Sequence, residues 1–184
     1  MVVIGSTRPG RVGLPIGNWF NEHARTDGRF EVVLADPAEI NLPLMDEPNH
    51  PRLRQYAHQH TRDWSTRVEE ADAFVFICAE YNHGMTAPLK NAIDYLSQEW
   101  SYKPVGFVSY GGVSGGIRAV QMLKQIVSIL RMVPIADSLP IPFVQQFLND
   151  GHFQPTDIHE TAATSMLEEL ERVARALRTL RQLP

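Results

Sequence analysis

Short apolar runs alternate with segments of helical periodicity along this chain. Apolar runs at residues 2–4, 30–34, 73–78, 105–109 and 133–136 predict five strands. Helices are predicted at residues 14–25, 53–70, 116–131 and 156–183, and after Thr86, which we expect to cap its helix. Strands that alternate with helices favour right-handed crossovers and a parallel sheet covered on both faces. We therefore predict an α/β fold with a doubly wound five-stranded parallel sheet in the order 2-1-3-4-5.

The strand order narrows the search for a site. In doubly wound sheets, ligands bind beyond the carboxyl ends of the strands, where the strand order reverses. That point lies between strands one and three, so the loops after strands one, three and four are the candidates. Pro134 favours an edge position for the fifth strand, and residues 35–51 are predicted to form a long loop.

Composition limits the classes of function. The 184 residues are expected to form one domain, residues 1–184. A net charge of -4 gives no basic surface for nucleic acid or an anionic membrane. The single cysteine, Cys78, lies in an apolar run and is predicted to be a core residue. Because the sequence has no disulfide pair, secretory signal or membrane-spanning apolar stretch, we expect a cytoplasmic protein.

The loop after the first strand carries donors for an anion. Residues 5–13 read GSTRPGRVG and lead into a helix N-terminus. Hydroxyl groups on Ser6 and Thr7, guanidinium groups on Arg8 and Arg11, and the helix dipole all favour a negative ligand. Two arginines within four positions distinguish this loop from an ordinary turn, so we predict that it binds a terminal phosphate.

Two known phosphate-binding motifs differ from this loop. Its first half matches a P-loop, but Arg11 and Val12 stand where a P-loop has lysine and a serine or threonine. A nucleotide triphosphatase is therefore not predicted. The G-x-G-x-x-G fingerprint of dinucleotide-binding proteins does not occur here either. An ordinary turn with exposed arginines is the remaining alternative.

The loops after the third and fourth strands suit a flat ligand. Residues 79–91 read AEYNHGMTAPLKN, in which Tyr81 can contact a planar ring and Asn82 offers amide donors and an acceptor. Residues 109–116 read SYGGVSGG, and their glycines allow a ligand to approach the backbone closely. Each loop alone is a common feature, but all three fall at one end of the predicted sheet.

In these three loops the chain resembles the NADPH-dependent FMN reductase family. The matching stretches are residues 5–11, residues 80–84 with residues 89–96, and residues 110–112, and the resemblance covers roughly the first three-quarters of the chain. It implies a flavodoxin-like fold, bound FMN, and NADPH or NADH as the co-substrate. The family usually has proline where this chain has Ala79, and further residues before Val2 in the first strand.

The resemblance also implies roles for individual residues. The FMN phosphate would be held after the first strand by Ser6, Thr7, Arg8, Arg11 and Val12. The isoalloxazine ring would contact, largely through backbone groups, Glu80, Tyr81, Asn82 and Gly84. Its other edge would be lined by Tyr110, Gly111 and Gly112. Because flavin supplies the reactive centre, no side-chain acid or base is obligatory, and no catalytic residue is predicted.

The predicted function is an NAD(P)H-dependent oxidoreductase that passes hydride to FMN and then to a small acceptor. Free flavin, a quinone, an azo compound and a metal oxyanion all stay open as the acceptor. A non-enzymatic electron carrier is disfavoured, because Arg8, Arg11 and the small net charge do not fit a hydroxyl-rich phosphate loop in a strongly acidic protein. A flavin-free regulatory module on the same fold is the other alternative.

The histidines do not predict a metal site. His58 and His60 lie two apart on a predicted helix, so we expect them to point in different directions. No other set of histidine, cysteine and carboxylate residues has the spacing of metal ligands. His83 adjoins the predicted flavin loop and could contact a substrate, although a solvated loop histidine is the simpler interpretation. No Ser-His-Asp arrangement is predicted.

The helix at residues 116–131 has more apolar surface than one sheet contact needs. One stripe consists of Val120, Leu123, Val127 and Leu130, and beside it lie Met122, Ile126 and Ile129. The family resemblance implies dimers or dimers of dimers. We therefore predict a homodimer that uses this helix, with the partner close to the flavin. The alternative is that the C-terminal helix covers this surface within one subunit.

Overall fold

Residues 1–181, which the computed structural model describes, form a five-stranded parallel sheet with helices on both faces. The strands are β1 (Val2–Ile4), β2 (Leu34–Ala35), β3 (Phe74–Ala79), β4 (Pro104–Tyr110) and β5 (Val133–Ile141). The helices are α1 (Gly13–Asp27), α2 (Pro37–Ile40), α3 (Gln59–Glu70), α4 (Ala87–Asp94), α5 (Ile117–Ile129) and α6 (Asp157–Arg181). The strand order is β2-β1-β3-β4-β5, so the predicted fold class and order are confirmed.

Two apolar cores hold the helices against the sheet. On one face α1 and α6 pack through side chains such as Phe20 and Leu170, and on the other α3 and α5 pack through Trp64 and Leu123. Burying one such large side chain stabilises the fold by about 1.5–3 kcal/mol. Cys78 is a core residue as predicted, and burial raises the pKa of its thiol to about 12, so it stays protonated at neutral pH.

β2 is shorter than predicted and lies later in the chain. Only Leu34 and Ala35 form the strand that pairs with β1; the Val33 carbonyl oxygen accepts a hydrogen bond from the Val2 N–H at 2.8 Å, but the Val33 residue is 51% exposed. The prediction of a strand at residues 30–34 was wrong because β1 has only three residues, and a longer β2 would have no pairing partner.

The segment between β2 and β3 contains more structure than predicted. The loop predicted at residues 35–51 includes α2, whose first turn is capped by Asp36, which accepts a hydrogen bond from the Ala38 N–H at 3.0 Å. The next helix, α3, begins at Gln59 rather than at residue 53. Arg54 has a left-handed φ of 51° that ends a preceding 3-10 turn, so the helix cannot run through it.

β5 is an edge strand, as Pro134 predicted, but it extends to Ile141 rather than ending at residue 136. An edge position tolerates proline because the missing N–H would face no partner. A hairpin of β6 (Leu148–Asn149) and β7 (His152–Phe153) follows. Its turn contains Asp150 and Gly151 with left-handed φ angles of 46° and 77°. This Asp-Gly pair is a hairpin signal that the prediction missed.

α6 begins at Asp157, one residue after the predicted start of the C-terminal helix, and is described to Arg181. The last two residues of that predicted helix, 182 and 183, lie outside the described residues. Within residues 1–181, no helix combines the length and apolar character needed to cross a bilayer.

Candidate functional site

A cavity of about 420 Å³ opens at the carboxyl ends of β1, β3 and β4. Its volume is within the range of small-molecule sites, and its place is the point where the strand order reverses. Most of the predicted contact residues line it, namely Arg8, Arg11, Val12, Glu80, Tyr81, Tyr110, Gly111 and Gly112. The structure thus brings together the three loops that the sequence analysis selected.

The other predicted contact residues lie around this cavity. Ser6 is buried, and its hydroxyl is 3.0 Å from the Tyr81 hydroxyl. Thr7 lines a neighbouring cavity of about 400 Å³ between α2 and α4. Asn82 and Gly84 belong to a turn beside the main cavity and are not among its lining residues.

Two glycines allow the β1–α1 loop to lie against the sheet. A Cβ atom on Gly5 would be 2.7 Å from the Ile77 carbonyl oxygen, and one on Gly13 would be 2.6 Å from the Tyr110 hydroxyl. The Thr86 hydroxyl donates a hydrogen bond to the Gly5 carbonyl oxygen. Thr86 takes the N-cap position of α4 as predicted, but its side chain does not cap the helix, because this acceptor lies nearby.

The two arginines of the β1–α1 loop have different environments. Arg11 donates to both carboxylate oxygens of Asp36, at 2.6 and 2.5 Å, and to the Ser6 carbonyl oxygen at 2.8 Å. Arg8 is exposed and has no ion pair with any residue that the structure describes. Arg11 therefore connects the loop to Asp36, the residue after β2, whereas the N–H donors of Arg8 are available for a ligand.

The start of α1 presents backbone donors next to Arg8. Val12 occupies the N-cap position, no side chain caps the helix, and no acidic residue lies in its first turn. The first N–H groups of a helix lack internal partners and carry partial positive charge. In α1 these donors are the N–H groups of Gly13 and Leu14, because Pro15 has none, and together with the Arg8 guanidinium they suit a phosphate group.

The loop after β3 begins with a tight turn from Tyr81 to Gly84. The N–H of each of these two residues donates to the carbonyl oxygen of the other at 2.9 Å. Asn82 and His83 between them have left-handed φ angles of 50° and 67°, which is the geometry of a type I′ turn. Such angles cost roughly 1–3 kcal/mol at each non-glycine residue. Because the N–H groups of Tyr81 and Gly84 are used within the turn, only Asn82 and His83 can donate a backbone N–H from this turn to a ligand.

The Glu80 carboxylate is used within the protein. It accepts hydrogen bonds from Arg118 Nε at 2.6 Å, from the Arg118 backbone N–H at 3.1 Å and from Ser114 Oγ at 3.1 Å. Desolvation opposes ionisation, but these hydrogen bonds outweigh it and lower the pKa of Glu80. The ionised side chain fixes the loop after β3 to the start of α5. Local sequence patterns do not predict this pair, because its members are 38 residues apart.

Two tyrosines present phenol groups to the cavity. Tyr110 is 5% exposed, and burial, with a smaller effect from Tyr81, raises its pKa above the usual value. Tyr110 therefore stays a neutral phenol at neutral pH. Tyr81 is 39% exposed and can face a planar ligand.

The segment after β5 forms a wall of the cavity that the sequence analysis missed. Phe143, Val144, Gln145 and Gln146 all line it. The backbone N–H groups of Phe143 and Val144 donate to the carbonyl oxygens of Gly112 and Gly111, at 2.9 and 3.2 Å. If the fifth strand had been predicted to end at Ile141 rather than at residue 136, this segment would have been expected beside the loop after β4.

His58 and His60 do not point in different directions, so that prediction was wrong. His58 precedes α3 instead of lying within it, and its ring stacks on His60 with a centroid separation of 5.2 Å and an interplanar angle of 9°. His60 Nε2 lies 2.9 Å from an Asp46 carboxylate oxygen. In the part of the chain that the structure describes, no group of three or more histidine, cysteine and carboxylate side chains could hold a metal ion.

Comparison with known proteins agrees with this geometry. A family model described as NADPH-dependent FMN reductase matches residues 1–146. The chain is 37% identical over 146 residues to an NAD(P)H-dependent FMN reductase of Schizosaccharomyces pombe, covering 77% of this chain and 72% of that relative. It is 48% identical over 63 residues to an NAD(P)H:quinone oxidoreductase of Solanum tuberosum, covering 33% of this chain and 32% of that relative.

A solved structure has the same fold. FerB, a flavoenzyme NAD(P)H:(acceptor) oxidoreductase from Paracoccus denitrificans, superposes with a TM-score of 0.71. The superposition covers 97% of this chain and 96% of that chain at 22% sequence identity. At this identity the likeness concerns the fold alone.

The environments of the two loop arginines predict different effects on stability. Arg11→Ala leaves the Asp36 carboxylate, 4% exposed, without its cation, and breaking a buried pair in this way costs about 3–5 kcal/mol. Arg8→Ala changes an exposed residue and should alter the free energy of unfolding by less than about 0.5 kcal/mol. Urea unfolding measures both, and Arg11→Ala combined with Asp36→Ala should recover part of the loss. Equal losses for the two single variants would contradict this account of the loop.

Proposed function

The chain belongs to the NADPH-dependent FMN reductase family, and from this premise we propose that the cavity holds FMN with its phosphate on the β1–α1 loop. The protein is a flavoprotein oxidoreductase that uses NAD(P)H. One observation carries the placement: phosphate donors and ring-facing residues, from three separate loops, line the same cavity.

The residues present fit both ends of the cofactor. At one end, Arg8 and the uncapped first turn of α1 supply positive charge for a phosphate. At the other end, Tyr81 offers an exposed aromatic side chain. Gly112 lines the cavity beside it, and a Cβ atom at that position would meet no atom within 4 Å. A flat ligand can therefore reach the backbone there.

FMN supplies the hydride chemistry between NAD(P)H and the acceptor, and this chain supplies binding and orientation. Arg8 and α1 would hold the phosphate, and the turn at residues 81–84 and the glycines at 111 and 112 would flank the ring. Tyr110 contributes a neutral phenol, because burial raises its pKa. The Glu80 carboxylate is hydrogen-bonded to Arg118, so it orients the loop after β3 instead of exchanging protons.

Arg8→Ala should weaken FMN binding by roughly 1.5–3 kcal/mol, the scale of a hydrogen bond to a charged group. Riboflavin has no phosphate, so its affinity should respond little to the same change. Fluorescence titration of the apoprotein with both flavins measures the two effects. Arg25→Ala, an exposed arginine in the last turn of α1, is the matched control and should leave both affinities as they are. Equal losses for FMN and riboflavin would reject the proposed phosphate site.

We propose that the chain is one domain in which NAD(P)H and the acceptor use the same cavity in turn. The described residues form one five-stranded sheet and one small hairpin, and the predicted contacts lie along a single cavity. Double-reciprocal plots of rate against NADPH at several acceptor concentrations should therefore be parallel. Intersecting lines would mean that both substrates are bound at once, and would contradict a shared cavity.

The proposed acceptor is a small molecule, for which free flavin, a quinone, an azo compound and a metal oxyanion are candidates. The relative named as a quinone oxidoreductase supports a quinone among these. We also propose a cytoplasmic location. The single cysteine is buried and unpaired, which is compatible with a reducing compartment.

A homodimer through α5 is proposed as well. α5 exposes Met122 and Ile129 (43% and 74%), and the residues that precede it expose Val113 (75%). Ile126 is partly buried against the protein's own core, so the free apolar surface is narrower than the sequence predicted. α6 packs with α1 on the opposite face of the sheet, so it does not cover this surface. A second copy seated here would lie close to Gly112 and the cavity.

Met122→Glu combined with Ile129→Glu should produce monomers, because charges on a self-complementary apolar contact would face each other. Light scattering measures the mass, and circular dichroism checks that the fold is kept. Ile158→Glu, at an exposed position on α6 (79%), is the control and should remain dimeric. A monomeric unmodified protein at working concentration would overturn the proposal.

A further inference from the structure

One wall of the cavity consists of side chains to which no FMN contact has been assigned. This wall is the segment Phe143–Gln146, in which Phe143, Gln145 and Gln146 are exposed and Val144 is buried as the anchor. Phe143 keeps 51% of its surface exposed and is not part of either apolar core. An aromatic side chain left half-exposed at a ligand cavity offers a flat face to whatever enters.

The backbone holds Phe143 in this place. Its φ and ψ angles are 48° and 43°, a left-handed conformation that bulky side chains rarely adopt. Three hydrogen bonds maintain it, since Phe143 N–H and Val144 N–H donate to the loop after β4, and Gln146 N–H donates to the Phe143 carbonyl oxygen at 2.9 Å. The backbone of Phe143 is thus fixed relative to Gly111 and Gly112, which are proposed to line the flavin.

We propose that Phe143 is the residue that selects planar acceptors, by stacking on the acceptor ring at the mouth of the cavity. This inference rests on the proposed function, because it requires FMN behind the acceptor. Side-chain amides of Gln145 and Gln146 on the same wall can donate hydrogen bonds to carbonyl oxygens at the acceptor's edge. The cationic lining residues, Arg8 and Arg11, belong to the β1–α1 loop and not to this wall. The wall therefore offers no cationic side chain to a compact anion, which gains no binding energy from it.

The test compares a planar quinone with ferricyanide in the FMN-loaded enzyme. Each NADPH, with one proton, reduces one naphthoquinone to its hydroquinone, or reduces two ferricyanide ions with release of a proton. Phe143→Ala should lower the ratio of kcat/KM for naphthoquinone to that for ferricyanide by about fivefold to tenfold, the value of an aromatic stacking contact. The change should appear mainly as a higher KM for the quinone.

Rescue and control variants separate this role from a structural one. Phe143→Tyr keeps a ring and should restore the ratio, whereas Phe143→Asn suits the left-handed backbone but has no ring and should behave like Phe143→Ala. Ile158→Ala removes an exposed apolar side chain on α6 and should leave the ratio unchanged.

An unchanged ratio in Phe143→Ala, or a loss of FMN affinity as large as the loss of quinone efficiency, would overturn the assignment of Phe143. These results differ from a failure of the proposed function. In that case the unmodified protein would bind no FMN in the cavity or would oxidise no NADPH with either acceptor.

Discussion

The site depends on how closely the β1–α1 loop can lie against β3 and β4. Gly5 and Gly13 make this approach possible, because a Cβ atom at either position would collide with Ile77 or Tyr110. Thr86 then holds the loop from the side of α4, and Arg11 holds it from the side of β2 through Asp36. A loop fixed on both sides presents the first turn of α1 in one arrangement, which lowers the ordering cost of binding a ligand.

All five strands contribute to this end of the molecule. The residues after β1, β3, β4 and β5 line the cavity directly, and Asp36 after β2 contributes by fixing Arg11. Left-handed backbone occurs at Asn82 and His83 after β3 and at Phe143 after β5. Strain of this kind persists where surrounding contacts over-determine it, and it tends to collect at functional sites. Phe143 lines the cavity, and Asn82 and His83 lie in the turn that follows its lining residue Tyr81, whereas other left-handed residues such as Arg54 lie elsewhere in the fold.

Local sequence patterns predicted the fold class, the strand order and the three loops, because these follow from periodicity and from glycine-rich segments. The patterns could not predict pairs of distant residues. The ion pair of Arg11 with Asp36, 25 residues further along the chain, had no local sequence signal, and neither did the contact of Glu80 with Arg118. The predicted lengths of two strands were wrong for a related reason. The length of β2 is limited by its partner β1, and β5 continues through two prolines because it lies at an edge of the sheet.

The central claim is that the cavity at the carboxyl ends of the strands binds FMN with its phosphate at the start of α1. A crystal structure of the protein in complex with FMN tests this most directly. The account predicts phosphate oxygens within hydrogen-bond distance of Arg8 and the first N–H groups of α1, with the isoalloxazine ring between Tyr81 and Gly112. A phosphate bound away from the β1–α1 loop, or a ring seated in the neighbouring cavity between α2 and α4, would contradict it.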